Sequence, residues 1–496
     1  MLKKLVKGIP LELVDSFERR LLNSYRLTLK FLTKTNPELL EAISRKKAER
    51  MFAKAKKEVP AYRKVAKKAE SFEEAPVIDK ENYIKKFSYE ERCCGGRFPE
   101  EGNIDESSGS SGKPTQWVRS YEEELMLQKA INFEYEYLFK TREKDKKFIV
   151  ISAWSSGPWA TGIKFCEIME HYSLVKETST NIGDILETMR IFGKGYAYLI
   201  AGYPPFLRLL LDKKFNFKDY KIHLLTGGEA TSLAMEDFFR RKLGRKAEII
   251  SAYGCSDIDI GIGVETPFSK FIRRLADKRK KLKKELFGTE GETPMVFQYN
   301  PLMHYIENIE GQEFLITLLD INTASPKVRY AIHDWGGKIG FKEMRDKVKK
   351  VLGIDMVKAY KGKGEILKLP FLWVKGRVDG TLSFDGANVS PKDIEEVILR
   401  DRFLSAKVNR FKMKKAYTKD HHVRFRLLIE LKAGLKGGRS LREKIQEKIR
   451  KGLVKINSDF AESLANNPQL APRVFLYQFD EKPFREDDER IKLKYT

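Results

Sequence analysis

Short apolar runs alternate with helical stretches through the middle of the chain, and this alternation constrains the fold more than any other feature. Four of these runs read as buried strands, at residues 148–151, 196–201, 222–225 and 247–250. Helical stretches at residues 182–191 and 205–211 separate them. Strands that alternate with helices predict a layered α/β fold in which helices cover a sheet.

The two ends of the chain differ from this middle. Residues 11–69 carry apolar side chains at helical spacing, interrupted at Asn36-Pro37 and Val59-Pro60, and predict a helical start. A loop-rich part follows at residues 71–103. Beyond about residue 378, a helix capped by Ser390 with Pro391 in its first turn, a strand at 423–431 and a basic amphipathic helix at 441–456 predict a smaller α+β unit.

We therefore expect an α/β protein with two domains. Its 496 residues exceed the size of one ordinary domain. A large α/β domain would span residues 1–376, with the helical start at 11–69. A small α+β domain would span residues 377–496, joined to the first through a hinge near 376–380.

The charge balance is strongly basic, with 95 Lys and Arg against 70 Asp and Glu, a formal net charge of +25. Basic excess favours anionic partners, although a solvated basic surface explains it equally. The densest basic segment, residues 271–286, predicts a solvated helix or insertion; the alternative is a docking patch for an anionic partner such as an acidic acyl-carrier protein.

Composition also bears on location and metal content. The longest apolar stretch, residues 196–211, is interrupted by Pro204, Pro205 and Arg208, so we expect no integral membrane segment and a soluble, cytoplasmic protein. The four cysteines show no CxxC spacing and only six histidines accompany them, which favours reduced thiols without a zinc site.

A Ser/Gly-rich segment at residues 106–115 is the clearest candidate for chemistry. Glycines let a backbone turn tightly, and consecutive N–H groups in such a turn form an anion-binding concavity. The candidate residues are Ser107, Ser108, Gly109, Ser110, Ser111, Gly112 and Lys113. Their four hydroxyls and the lysine ammonium would donate hydrogen bonds to phosphate oxygens. Pro114 stands where a Walker loop needs Ser or Thr, so this is not that motif. The alternative reading is a flexible linker.

This segment resembles the phosphate loop of the adenylate-forming superfamily, and the phenylacetate–CoA ligase-like branch, including CapK-like proteins, is the most similar. Further blocks follow in the family's order. Residues 226–229, Thr-Gly-Gly-Glu, resemble the block that borders adenine, through Gly228 and Glu229. Residues 253–257 resemble its Tyr-Gly-x-Ser/Thr-Glu block. The resemblance implies that Tyr253 stacks on adenine and that Asp257, in place of the usual Glu, holds Mg2+. Glu265 is an alternative metal ligand.

Two later blocks resemble the ribose and hinge motifs. Residues 329–334 resemble Arg-Tyr-x-x-Gly-Asp, with His333 in place of Gly, and imply that Asp334 accepts hydrogen bonds from both ribose hydroxyls. Residues 376–379 resemble the Gly-Arg-x-Asp hinge, where Arg377 would contact ribose or phosphate and Asp379 would be the pivot. Gly386 would lie beside the pantetheine tunnel, and Lys492 would be the adenylation lysine, with Lys494 and Lys482 as rivals.

The resemblance implies ATP-dependent activation of a small carboxylic acid to an acyl-adenylate, followed by transfer to coenzyme A, with ATP, Mg2+ and coenzyme A as cofactors. Trp154, Trp159, Phe165 and Tyr172 fall where the family builds its acyl pocket, and mildly favour a planar acid. Transfer of AMP or of the acyl group to another acceptor, such as a carrier protein or a deazaflavin-type hydroxyl, is the first alternative. A non-catalytic or nucleic-acid-binding basic protein is the second, although no RNP, zinc-finger or basic-zipper motif is present.

Overall fold

The computed structural model of the chain describes residues 6, 8–107, 115–141, 148–155, 160–309, 313–360, 364–377, 380–418 and 420–485, without the side chains of Ala160 and Lys392. The predicted α/β class is confirmed. The α-helices of these ranges are α1 (Leu11–Leu22), α2 (Tyr25–Lys34), α3 (Pro37–Glu58), α4 (Pro60–Val65), α5 (Tyr121–Phe139), α6 (Ala160–Met169), α7 (Ile182–Phe192), α8 (Pro204–Leu211), α9 (Leu233–Leu243), α10 (Pro267–Asp277), α11 (Lys280–Phe287), α12 (Phe341–Leu352), α13 (Met356–Ala359), α14 (Pro391–Arg400), α15 (Arg402–Lys407), α16 (Arg439–Ile456) and α17 (Ser458–Asn466).

The strands of the same ranges are β1 (Gly102–Ser107), β2 (Thr115–Ser120), β3 (Phe148–Ala153), β4 (Leu174–Glu177), β5 (Ala197–Gly202), β6 (Lys221–Thr226), β7 (Ile249–Cys255), β8 (Asp259–Val264), β9 (Met295–Gln298), β10 (His304–Asn308), β11 (Glu313–Leu318), β12 (Tyr330–Ile339), β13 (Phe371–Arg377), β14 (Leu382–Phe384), β15 (Ala387–Val389), β16 (Val408–Tyr417), β17 (Val423–Leu431) and β18 (Arg473–Tyr477).

One large sheet carries the middle of the chain, in the order β10-β11-β12-β13-β9-β8-β7-β6-β5-β3-β4. The half from β4 to β7 is parallel, and the half from β8 to β10 is antiparallel. All residues of β3 and β5 are buried, as expected for parallel strands with helices on both faces. The predicted strands at 148–151, 196–201 and 222–225 are confirmed, and the fourth begins two residues later than its prediction.

Within the antiparallel half, β8 and β9 are joined by a single residue pair, Val264 with Gln298. Tyr253 of β7 nevertheless reaches Asp334 of β12, although three strands lie between these two in the sheet order. The sheet must therefore curl, so that β7 and β12 face the same space. This curvature positions the candidate site.

Residues 11–65 form α1 to α4, which confirms the helical start and both predicted breaks. Asn36 caps α3 through its side chain, with Pro37 in the first turn. Helix α3 packs its buried face, including Met51 and Phe52, against the core of the antiparallel half of the sheet. Within the described part of the chain, no helix is long and apolar enough to cross a membrane.

The basic segment 271–286 exposes five of its eight basic side chains, those of Lys278, Arg279, Lys280, Lys281 and Lys284, as expected for a solvated helix. It falls on α10 and α11, whose apolar residues, such as Ile272 and Leu282, are buried. Lys270, just before the segment, and Arg273 are buried as well. Arg273 pairs with Glu265 at 3.1 Å and donates to the carbonyls of Pro294 and Thr231, at 3.0 and 2.9 Å. Part of the positive charge is therefore internal.

Residues from Leu382 onward build separate elements with their own core. The hairpin β14–β15 and the sheet β16-β17-β18 pack with α14 to α17 around buried side chains such as Phe384, Ile394 and Phe425. Ser390 caps α14 as predicted, accepting from the Asp393 N–H. The fold thus ends in a small α+β unit, while the domain boundary at 376/377 stays a prediction.

Candidate active site

The predicted phosphate loop connects two antiparallel strands. β1 and β2 pair along their length, and Ser107 and Thr115 face each other at the loop's base. Ser107 is buried, and its hydroxyl donates to the Thr115 carbonyl at 3.4 Å. Ser108 to Lys113, the rest of the predicted loop, lie outside the described residues. The hairpin holds both ends of the loop in place.

Lys80 lies at this base, and sequence reasoning missed it. Its ammonium is 3.5 Å from the Ser107 hydroxyl and 2.9 Å from the Asp257 carboxylate. It begins a short π-helix whose cap is the Asp79 side chain, which accepts from the Asn82 N–H at 2.7 Å. Its residue type in a loop-rich stretch gave no signal, because lysines are common throughout this chain.

Backbone hydrogen bonds of Ile78 hold Lys80 at the base of the β1–β2 loop. The Ile78 N–H donates to the Arg329 carbonyl at 3.2 Å, and the Ala331 N–H donates to the Ile78 carbonyl at 2.8 Å. Ile78 thus lies beside Tyr330 of β12, two residues before Lys80. Two segments about 250 positions apart in sequence meet at this point, which only the fold can arrange.

Asp257 is held from two sides. Lys80 contacts one carboxylate oxygen, and the Tyr330 hydroxyl donates to the other at 2.8 Å. Burial raises the pKa of this carboxyl, but the Lys80 charge and the two hydrogen bonds outweigh burial, so its pKa lies below the usual value. Asp257 is therefore a stable anion beside the loop.

Tyr253, Asp334 and Arg377 form a second cluster, from three of the predicted blocks. The Tyr253 hydroxyl donates to Asp334 at 2.5 Å, and its ring stacks on Phe297 at 5.4 Å. Arg377 lies directly across from Asp334 in the β12–β13 register, with 3.7 Å between guanidinium and carboxylate. Burial and the neighbouring Asp334 raise the pKa of Tyr253 well above its ordinary value, so the hydroxyl stays a donor.

His333, which replaces the family's glycine, adopts a backbone φ of +61°. This left-handed region favours glycine, so the position explains the residue type that the family uses there. The imidazole lies 2.8 Å from Glu313 and 3.5 Å from Asp79. These two contacts hold the imidazole between β11 and the residue that precedes Lys80.

Gly228 and Glu229 lie where the small C-terminal unit meets the sheet. Glu229 forms a short ion pair with Lys415 of β16, and it accepts from the Gly386 N–H at 3.4 Å. Gly386 has a φ of +91°, and a Cβ there would collide with the Tyr203 ring. Gly386 is therefore packed against Tyr203, the residue that follows β5.

An apolar cavity of about 110 Å³ lies beside these blocks. Trp154 and Phe165 line it, as predicted for the acyl pocket, while Tyr172 does not and Trp159 lies outside the described residues. Gly227, Gly228 and Gly254 border the same cavity. A Cβ at Gly254 would clash with the Ile260 backbone, and one at Gly228 would lie 3.0 Å from the Tyr203 ring, so close packing favours glycine at both positions.

The residues present do not by themselves fit an Mg2+ site. Both oxygens of Asp257 are already paired, and Glu265 is held by Arg273. Across the described ranges, no group of three or more His, Cys, Asp or Glu side chains is arranged for a metal ion. The predicted pivot Asp379 and the predicted lysine Lys492, with its rival Lys494, lie outside those ranges. The other rival, Lys482, precedes Pro483, whose carbonyl accepts from Lys412 at 3.2 Å.

No protein-family model matches the chain, and no curated protein sequence matches it. Among solved structures, 2-hydroxyisobutyryl-CoA ligase with 2-HIB-AMP and CoA, in its thioesterification state, has a TM-score of 0.62 at 13% identity over 92% of this chain and 90% of that one. The same ligase with R3-HIB-AMP, in its postadenylation state, has a TM-score of 0.50 at 12% identity, over 94% and 90%. Such identities report on fold alone. The chain has the adenylate-forming ligase fold, with a large α/β part and a small C-terminal domain.

Proposed function

We propose that this protein is an enzyme that activates a small carboxylic acid with ATP, forming an acyl-adenylate, and then transfers the acyl group to coenzyme A, as in the phenylacetate–CoA ligase-like branch. One observation carries the proposal. Residues from four separated sequence blocks meet in one place: Ser107 with Lys80 and Asp257, and Tyr253 with Asp334 and Arg377. Bringing so many charged groups together in a partly buried place costs free energy, which favours a binding role over a purely structural one.

Each cluster suits one part of ATP. Asp334 retains lone pairs for ribose hydroxyls beyond those that Tyr253 and Arg377 engage, since a carboxylate has about four acceptor positions. The exposed face of the half-buried Tyr253 ring suits adenine, because its other face is covered by Phe297. Lys80 and the hairpin loop supply cationic and N–H donors for the phosphates. No step of the proposed reaction is assigned to Mg2+.

The reaction would proceed in two steps. The substrate carboxylate attacks the α-phosphorus of ATP, and pyrophosphate leaves. The thiol of coenzyme A then attacks the acyl carbon, and AMP leaves. The loop of Gly386 against Tyr203 supports a thiol passage between the two units, while the pivot at Asp379 remains part of the proposal.

The test is ATP–pyrophosphate exchange over a panel of carboxylic acids, followed by AMP release with and without coenzyme A. Exchange with at least one acid, and AMP release that depends on coenzyme A, are expected. AMP release that needs a carrier protein or a hydroxyl acceptor would point to the alternative acceptors. Absence of exchange with every acid, together with tight salt-sensitive binding to nucleic acid, would overturn the proposal.

Lys492 has its own test, since it is proposed to act only in adenylation. Lys492→Ala should lower the exchange rate by about 10²–10³, the effect of losing one preorganised electrostatic donor. Thioester formation from a supplied acyl-adenylate should be unchanged. An equal fall in both half-reactions would show that the lysine is assigned to the wrong step, and Lys494→Ala and Lys482→Ala serve as matched comparisons.

A further inference from the structure

The apolar cavity contains one acidic side chain that the proposed reaction does not use. Ile131, Tyr135 and Leu138 of α5 line one wall, and Glu134 on the same helix joins them. Residues of β7 and β8, among them Ala252 and Ile260, also line the cavity. The carboxyl of Glu134 is half-buried, and a polar group among apolar side chains is favoured when a ligand supplies its hydrogen-bond partner.

Glu134 has no hydrogen bond or ion pair within the described part of the chain, unlike the other acids of the site. Burial, and to a smaller extent the nearby Asp259, raises the pKa of Glu134 to about 8. The cavity thus holds a carboxyl without a partner, and nothing on its own helix neutralises it.

The groups around Glu134 add negative rather than positive charge. Among the lining residues the other titratable group is Tyr135, whose hydroxyl is paired with Ser173 at 2.8 Å. Behind the cavity, Asp259 is held by His304 at 2.8 Å and by the Gly261 N–H at 2.8 Å, with Arg119 also lowering its pKa. Two carboxyl groups near one apolar space favour a ligand that brings a positive charge.

We infer that Glu134 is a specificity residue of the acyl cavity and that the preferred acid carries a protonated amine at the end that enters this cavity. The inference rests on the proposed function, because it names the acid that the enzyme would activate. The space limits the group: a cavity of about 150 Å³ admits a benzene molecule, so about 110 Å³ admits a short chain or a single small ring.

Direct binding tests the cavity without any catalysis. Isothermal titration calorimetry compares butylamine, a cation, with butan-1-ol, a neutral probe of the same shape, on the full-length protein. Butylamine should bind about tenfold to hundredfold more tightly, the range of a charge-assisted hydrogen bond. Its binding near neutral pH should also release close to one proton, because Glu134 must ionise to pair with the ammonium group.

Glu134→Gln should abolish both the preference for the amine and the proton release, since it keeps the shape and removes the charge. Glu136→Gln, a nearby acid on α5 that does not line the cavity, is the matched control and should change neither. Equal affinities of the two probes, no binding of either probe, or a preference that survives in Glu134→Gln would overturn the inference.

Exchange assays separate this inference from the proposed function. A series of ω-amino acids is compared with ω-hydroxy acids of matched length in ATP–pyrophosphate exchange. Faster exchange with the amino series, lost in Glu134→Gln, is the expected result. Exchange with both series at equal rates would overturn the inference and leave the function standing. Exchange with no acid at all would overturn the function, while amine binding in the calorimeter would still stand.

Discussion

At the scale of single residues, the candidate site depends on a cation that the family resemblance did not indicate. Lys80 lies between the base of the phosphate loop and Asp257, and its ammonium offsets the burial of that carboxylate. His333 differs in residue type from the glycine of the motif that it resembles. Its backbone φ of +61° is nevertheless one that glycine readily adopts.

Lys80→Ala should reduce ATP–pyrophosphate exchange by about 10²–10³, because a fixed donor beside the loop is lost. The pKa of Asp257 should rise as well, since Lys80 is the largest influence that lowers it. Steady-state exchange kinetics with varied ATP measure the effect. Lys85→Ala, which removes an exposed lysine paired with Glu81, is the control. Unchanged kinetics in Lys80→Ala would exclude Lys80 from the phosphate site.

At the scale of elements, the turn between β14 and β15 is the point where the small unit meets the sheet. Asp385 and Gly386 form this turn, with φ values of +48° and +91°. Asp385 is buried next to Glu229, and one of its oxygens accepts from Asn467 at 2.9 Å. The turn is therefore strained, charged and tightly packed, which makes it sensitive to both substitution and pH.

Gly386→Ala should slow the coenzyme A-dependent step at least about tenfold while exchange persists, because the new methyl group displaces the turn from Tyr203. The two half-reactions are measured separately. Gly434→Ala is the matched control: its φ of +84° gives the same backbone strain, but no atom lies within 4 Å of a Cβ there. If the two variants behave alike, backbone strain rather than the tunnel contact explains the loss.

Asp385 predicts a pH dependence of stability. Burial, then repulsion by Glu229, raises its pKa from 3.8 to about 7. Between these values the folded protein binds more protons than the unfolded chain, so the free energy of unfolding falls as pH rises through this window. Asp385→Asn should remove this fall, with a gain on the order of 2–4 kcal/mol above about pH 7.

Thermal unfolding at about pH 5 and about pH 8 measures this effect. Asn467 can still donate to the new amide oxygen, so Asp385→Asn should fold. Asp237→Asn, which replaces a largely exposed acid paired with Arg274, should leave the profile as it is. A steep fall in stability with pH that persists in Asp385→Asn would assign the dependence to another group.

At the scale of the whole molecule, the large part and the small unit are joined by polar contacts outside the chain connection. Lys415 pairs with Glu229, Arg208 donates to the Asp420 carbonyl at 2.7 Å, and Asn466 donates to Thr180 at 3.2 Å. Polar contacts of this kind can be exchanged for water at modest cost, so they suit an interface that opens and closes.

Lys415→Ala should weaken this interface by about 3–5 kcal/mol, because it leaves Glu229 buried without its partner. Small-angle scattering should then show a larger radius of gyration, and trypsin should cut between the two units faster. Lys414→Ala, at an exposed neighbouring position on β16, is the control. The double variant Lys415→Met with Glu229→Gln should restore compactness; an open shape in both variants would contradict the role of this ion pair.

Local sequence signals predict most of the secondary-structure elements and several residues of the candidate site. Apolar periodicity predicted the buried strands, and the Ser390-Pro391 pair predicted the start of α14, because these signals act within a few residues. Ordered blocks predicted that Tyr253, Asp257, Asp334 and Arg377 belong to one site, and the fold brings them together.

Contacts between side chains that are far apart in sequence depend on the tertiary structure. Lys80 lies at the site because Ile78 pairs with Tyr330. Glu265 is not available as a metal ligand because it pairs with Arg273 on α10. In the basic segment 271–286 most basic side chains are exposed as expected, but Arg273 lies on the buried face of α10 and pairs there with Glu265. Which charged side chains pair depends on how the helices and strands pack. This packing follows from the curl of the sheet and from its parallel and antiparallel halves.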